Sequence, residues 1–567
     1  MSIKLPYGIS HFNKLVSENY YYVDRTAYIE KLEQASEPYV FFLRPRRFGK
    51  SLFVSTLWHY YGLEFVDPFS QLFGQYYIGQ HPTPKANSYA VLHFEFSRID
   101  TTSRDSTFEG FLSNVRWGVK DFLARYTQLE RSEEKAILSC SSPSEILKAL
   151  FYAVGKQHPI YILIDEYDHF ANEILAFNFD HFSEFVSRNG FVRKFYEAIK
   201  EATGRGIVDR FFATGVTPIT LDSLTSGFNI AANFSTHHYF HEMMGFTQPE
   251  VDTLLKQIAP QLNDSEHNKV LENLKEWYNG YIFSRKAKKK LYNPDMVLYF
   301  LKEYAYENEY PDTLIDVNIA SDYGKIRRLF SLGKTAYHQV VLEGLIESGK
   351  VEGLLTQQFS FEKPFDQDDL ISLLFYLGLV TIREAEGALF QFSFPNYVVK
   401  ELYWEFFIKS LQEQYQLDFE IVDVRQKIKQ LAQDNEVKPF VGLIETALKT
   451  LSNRDFISFD EKYIKALFVG FASLSNLYFI KSEPELEQKY PDVMFLYRPP
   501  FFSPNQFLFE LKYLKKTQRQ KLKSIRLEAI NQIKTYLDFA EVKQLDNLKS
   551  WVIVFVGDQA EVVEEVQ

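Results

Sequence analysis

Two stretches of this chain set lysines and carboxylates where phosphate chemistry could use them. In "FFLRPRRFGKSLF" (41–53), Gly49, Lys50 and Ser51 end a phosphate-binding loop of the form G-x-x-x-x-G-K-[ST], but Arg44 stands at the first glycine. A glycine-lysine turn that opens a helix aims backbone N–H groups and the positive helix end at a phosphate. Lys50 would reach the β- and γ-phosphates of ATP, and the Ser51 hydroxyl would ligate Mg²⁺. "YILIDEYD" (161–168) supplies the matching acids. Asp165 would hold Mg²⁺ through water, and Glu166 would polarise the attacking water. Asp168 and His169 are expected to cap the segment that follows. In "FFATGVTPIT", Thr214 or Thr217 could sense the γ-phosphate; the plainer reading is a buried threonine at a strand end.

The second stretch, "YPDVMFLYRPPFFSPNQFLFELKYLKK" (490–516), spells P-D-x(17)-E-x-K. Residues i and i+2 of a strand share a face, so Glu510 and Lys512 project together while Leu511 turns to the core. Asp492 and Glu510 would hold Mg²⁺, which acts on a phosphodiester as a Lewis acid and lowers the pKa of its bound water. Lys512 would orient that water and offset charge in the transition state. Glu-Leu-Lys is frequent on exposed strands, so the spacing alone is weak. The apolar flanks strengthen it, because a charged pair inside a buried strand is costly without partners or a function. So does a run of cations, Lys512, Lys515, Lys516, Arg519, Lys521, Lys523 and Arg526, with no acid among residues 511–526. A phosphate backbone could lie along it. A shorter basic run, "SRKAKKK", covers 284–290.

Positioning these residues calls for α/β elements. Strands are expected at 39–43, 89–97, 160–165 and 210–216, apolar on nearly every residue as in parallel sheets covered on both faces. A helix should follow the first of them and stop at Gly62. Residues 1–245 read as a P-loop α/β domain. Residues 246–400 read as a helical lid and a winged-helix-like region, with a hairpin at "EG" (386–387). A helical connector (401–455) leads to a second α/β domain (456–567), with strands at 492–497 and 506–514 and a long helix ending near Phe539.

A chain of 567 residues needs several cores, and 46% hydrophobic with 24% charged residues excludes wholesale disorder. The net charge of −11 argues against a protein that coats nucleic acid over its whole surface. Cys140 is the sole cysteine, which excludes an intramolecular disulfide and a cysteine-rich zinc site and suits a cytoplasmic setting. "MSIKLPYGIS" lacks the layout of a signal peptide, and no apolar run reaches membrane-spanning length, so no membrane partner is expected.

The ordered series "LPYGISHFNKLVSENYYYVDRTAYI", "FFLRPRRFGKSLF", "YILIDEYD", "FFATGVTPIT", "MMGFTQPEV", "WYNGYIF" and "YNPDMVLYFL" resembles the bacterial AAA-ATPase-like proteins. Many of these carry a C-terminal domain related to the PD-(D/E)XK nucleases, a restriction-endonuclease-like α/β fold. The resemblance makes Arg44 the family's own form of the loop, which brings its own cations to the phosphates. It implies Asp24 near the nucleotide, Arg46 and Arg47 flanking the phosphates, and Trp277, Tyr278, Gly280 and Tyr281 shaping the lid. In the C-terminal domain it implies Asp492 and Glu510 on the metal, Lys512 positioning water, and Glu461 and Gln532 in support, Gln532 one turn before Tyr536. Asp295 departs from the family, which often has an aromatic residue there, and no Asn-Thr-Ser segment is evident near 316–326. Arg205 and Arg210 stand as arginine-finger candidates. Two functions follow: an ATP-dependent nuclease acting on DNA or RNA, or a regulatory NTPase whose nuclease-like domain binds without cutting. Homo-oligomerisation is left open.

Overall fold

The computed structural model describes residues 3–97, 99–170, 190–218, 228–316, 336–359, 365–452, 460–482 and 490–567. The chain divides into two compact units. The first comprises Met1–Asn308, Ile315–Val341 and Lys350–Tyr397; the second comprises Glu309–Leu314, Leu342–Gly349 and Val398–Gln567.

In the first unit, β1 (Tyr39–Leu43), β2 (Ala90–Glu95), β3 (Ile160–Asp165), β4 (Val208–Gly215) and β5 (Ala232–Asn233) form one sheet in the order β2-β3-β4-β1-β5. Every pairing is parallel. All of β3 and nearly all of β1 and β4 are buried, which explains why these runs lack polar alternation. The strand expected at 89–97 is shorter, and that at 210–216 starts earlier, at Val208. Helix Lys50–Tyr61 follows β1 and ends at Gly62, whose N–H closes on the Trp58 carbonyl. The loop after β1 and the acids at the end of β3 lie at the carboxyl edge of the parallel sheet, where α/β folds bind ligands.

Further along, helix Gln248–Ile258 starts at a capping box made by Thr247 and Glu250. Helix Asp264–Tyr278 and the two-stranded pair β6 (Asn279–Tyr281) and β7 (Leu291–Tyr292) precede helix Pro294–Glu307, capped by Asn293. Strands β8 (Lys350–Leu354), β9 (Thr381–Glu386) and β10 (Leu389–Ser393) form an antiparallel sheet in the order β8-β10-β9. The β9–β10 turn carries Gly387 at φ +58°, as a tight hairpin requires. Residues 317–326, where the Asn-Thr-Ser segment is missing, lie outside the described residues.

The second unit is built on β11 (Tyr478–Ser482), β12 (Val493–Tyr497), β13 (Gln506–Leu514), β14 (Leu548–Val556) and β15 (Gln559–Val566), in chain order across the sheet. Only β13 and β14 run parallel, joined through helix Leu522–Leu537. That helix buries Ala529, Ile533 and Tyr536, spaced four and three residues apart, against Leu508, Val552 and Val554 of the sheet. Helix Glu461–Ser473 contacts β11 and β13. Among the described residues, no helix is long and apolar enough to cross a membrane.

Candidate active sites

In the first unit the loop from Arg44 to Ser51 bends through two left-handed residues, Arg47 at φ +68° and Gly49 at φ +91°. Only glycine takes the latter without steric cost, and it brings the helix N-terminus against a cavity of about 440 Å³. Arg46, Arg47, Gly49, Lys50, Ser51, Glu166 and His169 line that cavity. The Lys50 ammonium donates to the Pro45 carbonyl at 3.0 Å. Burial lowers the Lys50 pKa, opposed by Glu166, Asp165 and Asp168. Asp165 is pushed up to about 6 by burial, partly countered by a hydrogen bond from Ser51. Its neighbour Glu166 takes a left-handed φ of +51°, uncommon for a side chain of this kind, and turns toward His169 Nδ1 at 3.3 Å.

Several expected positions sit elsewhere. Asp24 does not line the cavity: its carboxylate accepts from Thr26 N and Oγ1 and from Tyr77 N, so it fixes the backbone beside the site. The neighbouring Arg25 does line it, ion-pairs with Glu250 at 2.5 Å and donates to the Gly245 carbonyl at 2.7 Å. Thr214 is fully buried, and its hydroxyl donates to the Phe42 carbonyl at 2.8 Å. Thr217 gives its hydroxyl to Asp168. Asp168 therefore ties the end of β4, accepting from Val216 N and Thr217 N; the segment it was expected to cap, from residue 171 on, lies outside the described residues.

Arg44 does not reach toward phosphates. It is 1% exposed, and its guanidinium lies between the rings of Phe42 and Phe283, 4.3 and 4.2 Å from their centroids. It donates to the carbonyls of Leu43, Ser235, Phe240 and His241. Phe48, also in the loop, packs edge-on against Tyr281 and Phe283. Trp277, Tyr278 and Tyr281 are buried, and a Cβ on Gly280 would collide with the Pro395 carbonyl at 1.7 Å. Arg47 meets Asp295 at 3.3 Å. Arg210 is buried and donates to the Leu32 carbonyl, whereas Arg205 is exposed beside Glu201.

In the second unit, Asp492 precedes β12 and accepts the Leu511 N–H on Oδ2 at 2.8 Å. Glu510 and Lys512 share a face of β13, with Lys512 Nζ 2.8 Å from Glu510 Oε1 and 3.4 Å from Glu461 Oε1. Glu510 Oε2 and Gln532 Oε1 are buried with no hydrogen-bond partner among the described residues. Burial, then Asp492, pushes the Glu510 carboxyl up to about 7 against the pull of Lys512. Burial opposes the Lys512 charge, yet Glu510, Asp492 and Glu461 hold its pKa above the ordinary value. Tyr536 lies near these acids and donates to the Tyr490 carbonyl at 3.2 Å.

Two family models match this chain: residues 6–225 fit one described as predicted AAA-ATPase, and residues 459–565 fit the PD-(D/E)XK nuclease superfamily. The chain carries an AAA-ATPase-like domain and a PD-(D/E)XK nuclease-superfamily domain. An uncharacterized protein in the vnfD 5′ region of Azotobacter chroococcum mcd 1 is 26% identical over 427 residues, covering 70% of this chain and 68% of that protein. The Walker-type ATPase PABY2304 of Pyrococcus abyssi covers 71% of this chain and 98% of its own, at 12% identity and a TM-score of 0.38. The Aeropyrum pernix ORC2 protein covers 69% and 97%, at 12% identity and a TM-score of 0.25.

The nuclease-superfamily domain raises the question of a divalent metal. Among the described residues no group of three or more His, Cys, Asp or Glu side chains is arranged to hold one. Mg²⁺ needs fewer: it commonly takes one or two carboxylates and completes its shell with water and phosphate oxygens. Asp492 and the orphaned Glu510 Oε2 fit that donor set. Sequence reasoning missed Lys465, whose Nζ lies 3.0 Å from Asp492 Oδ1. The signal was present, since Lys465 follows Glu461 by one helical turn.

The basic run differs from expectation. Lys516 pairs with Asp558, Arg519 with Glu561 and Arg526 with Glu564, all at or on β15. Three cations assigned to a phosphate backbone thus neutralise a neighbouring strand. Lys515, Lys521 and Lys523 form no ion pair among the described residues.

Proposed function

We propose that this protein binds and hydrolyses ATP in its N-terminal domain and uses the nucleotide state to control a metal-dependent nuclease domain acting on DNA or RNA. The observation that carries this reading is the joint occurrence, in one chain, of a cavity lined by Gly49, Lys50, Ser51 and Glu166 and a buried Glu510–Lys512 pair with an unpartnered carboxylate oxygen. In the first site, Lys50 would exchange the Pro45 carbonyl for the β- and γ-phosphates, with Arg46 and Arg47 beside them. Ser51 and Asp165 would hold Mg²⁺, and Glu166 would take up the attacking water. In the second, Asp492 and Glu510 would hold the metal, which supplies Lewis-acid activation of the phosphodiester and its water. Lys512 would orient that water, with Glu461 and Gln532 fixing Lys512 and the carboxylates.

The functional parts proposed are an ATPase domain at 1–245, a lid and winged-helix-like region at 246–400, a helical connector at 401–455 and the nuclease domain at 456–567. A cytoplasmic setting belongs to the same reading. A regulatory NTPase whose nuclease-like domain binds without cutting remains the second reading, favoured by the pairing of Lys516, Arg519 and Arg526 with acids.

The test is cleavage of single- and double-stranded DNA and RNA by purified protein with Mg²⁺ or Mn²⁺, in ATP, in ADP and without nucleotide. Cleavage should be lost in Lys512→Ala, and its nucleotide dependence in Lys50→Ala. Protein that cuts none of these substrates under any nucleotide would sink the nuclease reading and leave the regulatory one.

A further inference from the structure

Asp492 is held from two sides. The Leu511 N–H occupies Oδ2, and the Lys465 ammonium stands 3.0 Å from Oδ1. The side chains of Lys465 and Asp492 are 11% and 10% exposed, so this ion pair is shielded from bulk solvent. Lys465 arises from helix Glu461–Ser473, on the same face as Glu461. Lys512 meanwhile serves Glu510 and Glu461. Each carboxylate of the centre already faces an ammonium, three acids against two lysines.

A dication approaching Asp492 therefore meets a site with one net negative charge and an ammonium on the oxygen it needs. Repulsion from that ammonium, a few ångströms away in a shielded site, works against the pull of the net charge and weakens the binding of metal alone. An anion that accepts from Lys465 removes that obstacle. A phosphodiester has the required chemistry: nonbridging oxygens that accept from an ammonium and also complete the shell of Mg²⁺ or Mn²⁺.

We propose that Lys465 is a phosphate-binding residue of the C-terminal site: it releases Asp492 Oδ1 to the divalent cation and takes a nonbridging phosphate oxygen of the nucleic acid, so that metal and nucleic acid bind together. The inference rests on the nuclease-site reading above and adds an order of events to it. No bond is made or broken in this exchange; an ion pair changes partner.

The experiment is a Mn²⁺ titration of the full-length protein, followed by calorimetry or by the Mn²⁺ electron spin resonance signal. It is run alone and with a short DNA or RNA duplex, counting only the binding lost in Asp492→Asn. Wild-type protein should bind Mn²⁺ weakly alone and about tenfold tighter, or more, with duplex, a gain of ~1.4 kcal/mol. Lys465→Met should bind Mn²⁺ alone about tenfold tighter than wild type, and the duplex should then add little. Lys465→Gln should do the same, which guards against a packing defect in one variant. A merely structural lysine would leave Mn²⁺ affinity unchanged or weakened when removed, and that result overturns the proposal while leaving the metal site standing. If Asp492→Asn removes no Mn²⁺ binding even with duplex present, the metal-site reading fails and this inference with it.

Discussion

The two candidate sites use the same ingredients, lysines and acids on or beside buried strands, and arrange them differently. In the ATPase-like domain the two buried cations of the loop rest on backbone carbonyls, Lys50 on Pro45 and Arg44 on Leu43, Ser235, Phe240 and His241, while Arg25 and Arg47 at the cavity pair with Glu250 and Asp295. In the nuclease-superfamily domain they rest on carboxylates: Lys512 on Glu510 and Glu461, Lys465 on Asp492. A carbonyl holds an ammonium without cancelling its charge, so Pro45 leaves the Lys50 charge available for the polyphosphate proposed there. The second offsets most of its charge internally, three acids against two lysines, and on the proposed reading a ligand would redistribute these pairs. On the proposed functions, the difference is between a lysine held by a carbonyl at a phosphate site and a lysine–carboxylate pair that would exchange partners to accept a metal.

The comparison breaks most visibly at Arg44. Replacing it by Leu strips the donors from four buried carbonyls and should destabilise the first domain by about 3–5 kcal/mol, the range for disrupting a buried charged network. Arg44→Lys should also be strongly destabilising, because an ammonium cannot reproduce the planar fork between two rings. Arg46→Ala should leave thermal stability nearly unchanged and weaken ATP binding about tenfold, a loss of ~1.4 kcal/mol. Melting curves and nucleotide titrations on the same three variants decide it. If Arg44→Leu keeps its melting temperature and loses only ATP, then Arg44 serves the phosphates after all.

A second contrast concerns protons. Burial lowers His59, His93 and His241 of the first domain to about 4. In the unfolded chain they titrate near 6.5. The unfolded state thus binds more protons between those values, and the stability these groups contribute falls as pH drops from about 6.5 toward 4. Glu510 has the reverse sign. With a folded pKa of about 7, it binds more protons folded than unfolded, so the second unit gains stability as pH falls from 7 toward its unfolded value. Asp165, at about 6, works like Glu510 within the first domain but stands against three histidines. Calorimetry at about pH 7.5 and 5.5 should show the ATP-shifted transition moving down while the other holds or rises. Transitions that move in parallel would mean that these buried groups do not set the difference.

How much of this was legible depends on how far apart the partners lie in the chain. Gly49-Lys50-Ser51, Asp165-Glu166 and Glu510-Leu511-Lys512 were readable because each is a local pattern on one strand or turn, and β1, β3 and β13 lie where unbroken apolar runs placed them. Arg44 was misread because its acceptors are nearly two hundred residues away, at Ser235 to His241. In a linear reading an arginine beside a phosphate loop belongs to the phosphate. Motif position put Asp24 in the right neighbourhood and left Thr214 open between a phosphate sensor and a buried strand-end residue; backbone groups at Tyr77 and Phe42 hold the two side chains. Lys465 was within reach, one turn beyond Glu461, but a lysine on an apolar helix draws no attention until the strand opposite is known.

The smallest expected effect concerns the basic run, where paired and unpaired cations alternate along a few residues. Lys516, Arg519 and Arg526 answer Asp558, Glu561 and Glu564, so their charges are already balanced before any phosphate arrives. Lys521 and Lys523 are exposed and have no such partner among the described residues. If the C-terminal domain binds nucleic acid through this face, the double variant Lys521→Ala/Lys523→Ala should flatten the dependence of log affinity on log salt by about 2, near 0.9 per lost phosphate contact. Arg526→Ala should leave the slope unchanged and cost little stability, as expected for a solvent-screened ion pair. Equal slopes in wild type and the double variant would place the binding face elsewhere, with the exposed cations at 285–290 next to be substituted. A slope change in Arg526→Ala would mean that Glu564 yields its arginine to phosphate, and the exchange of partners inferred at Asp492 would then have a counterpart on β15.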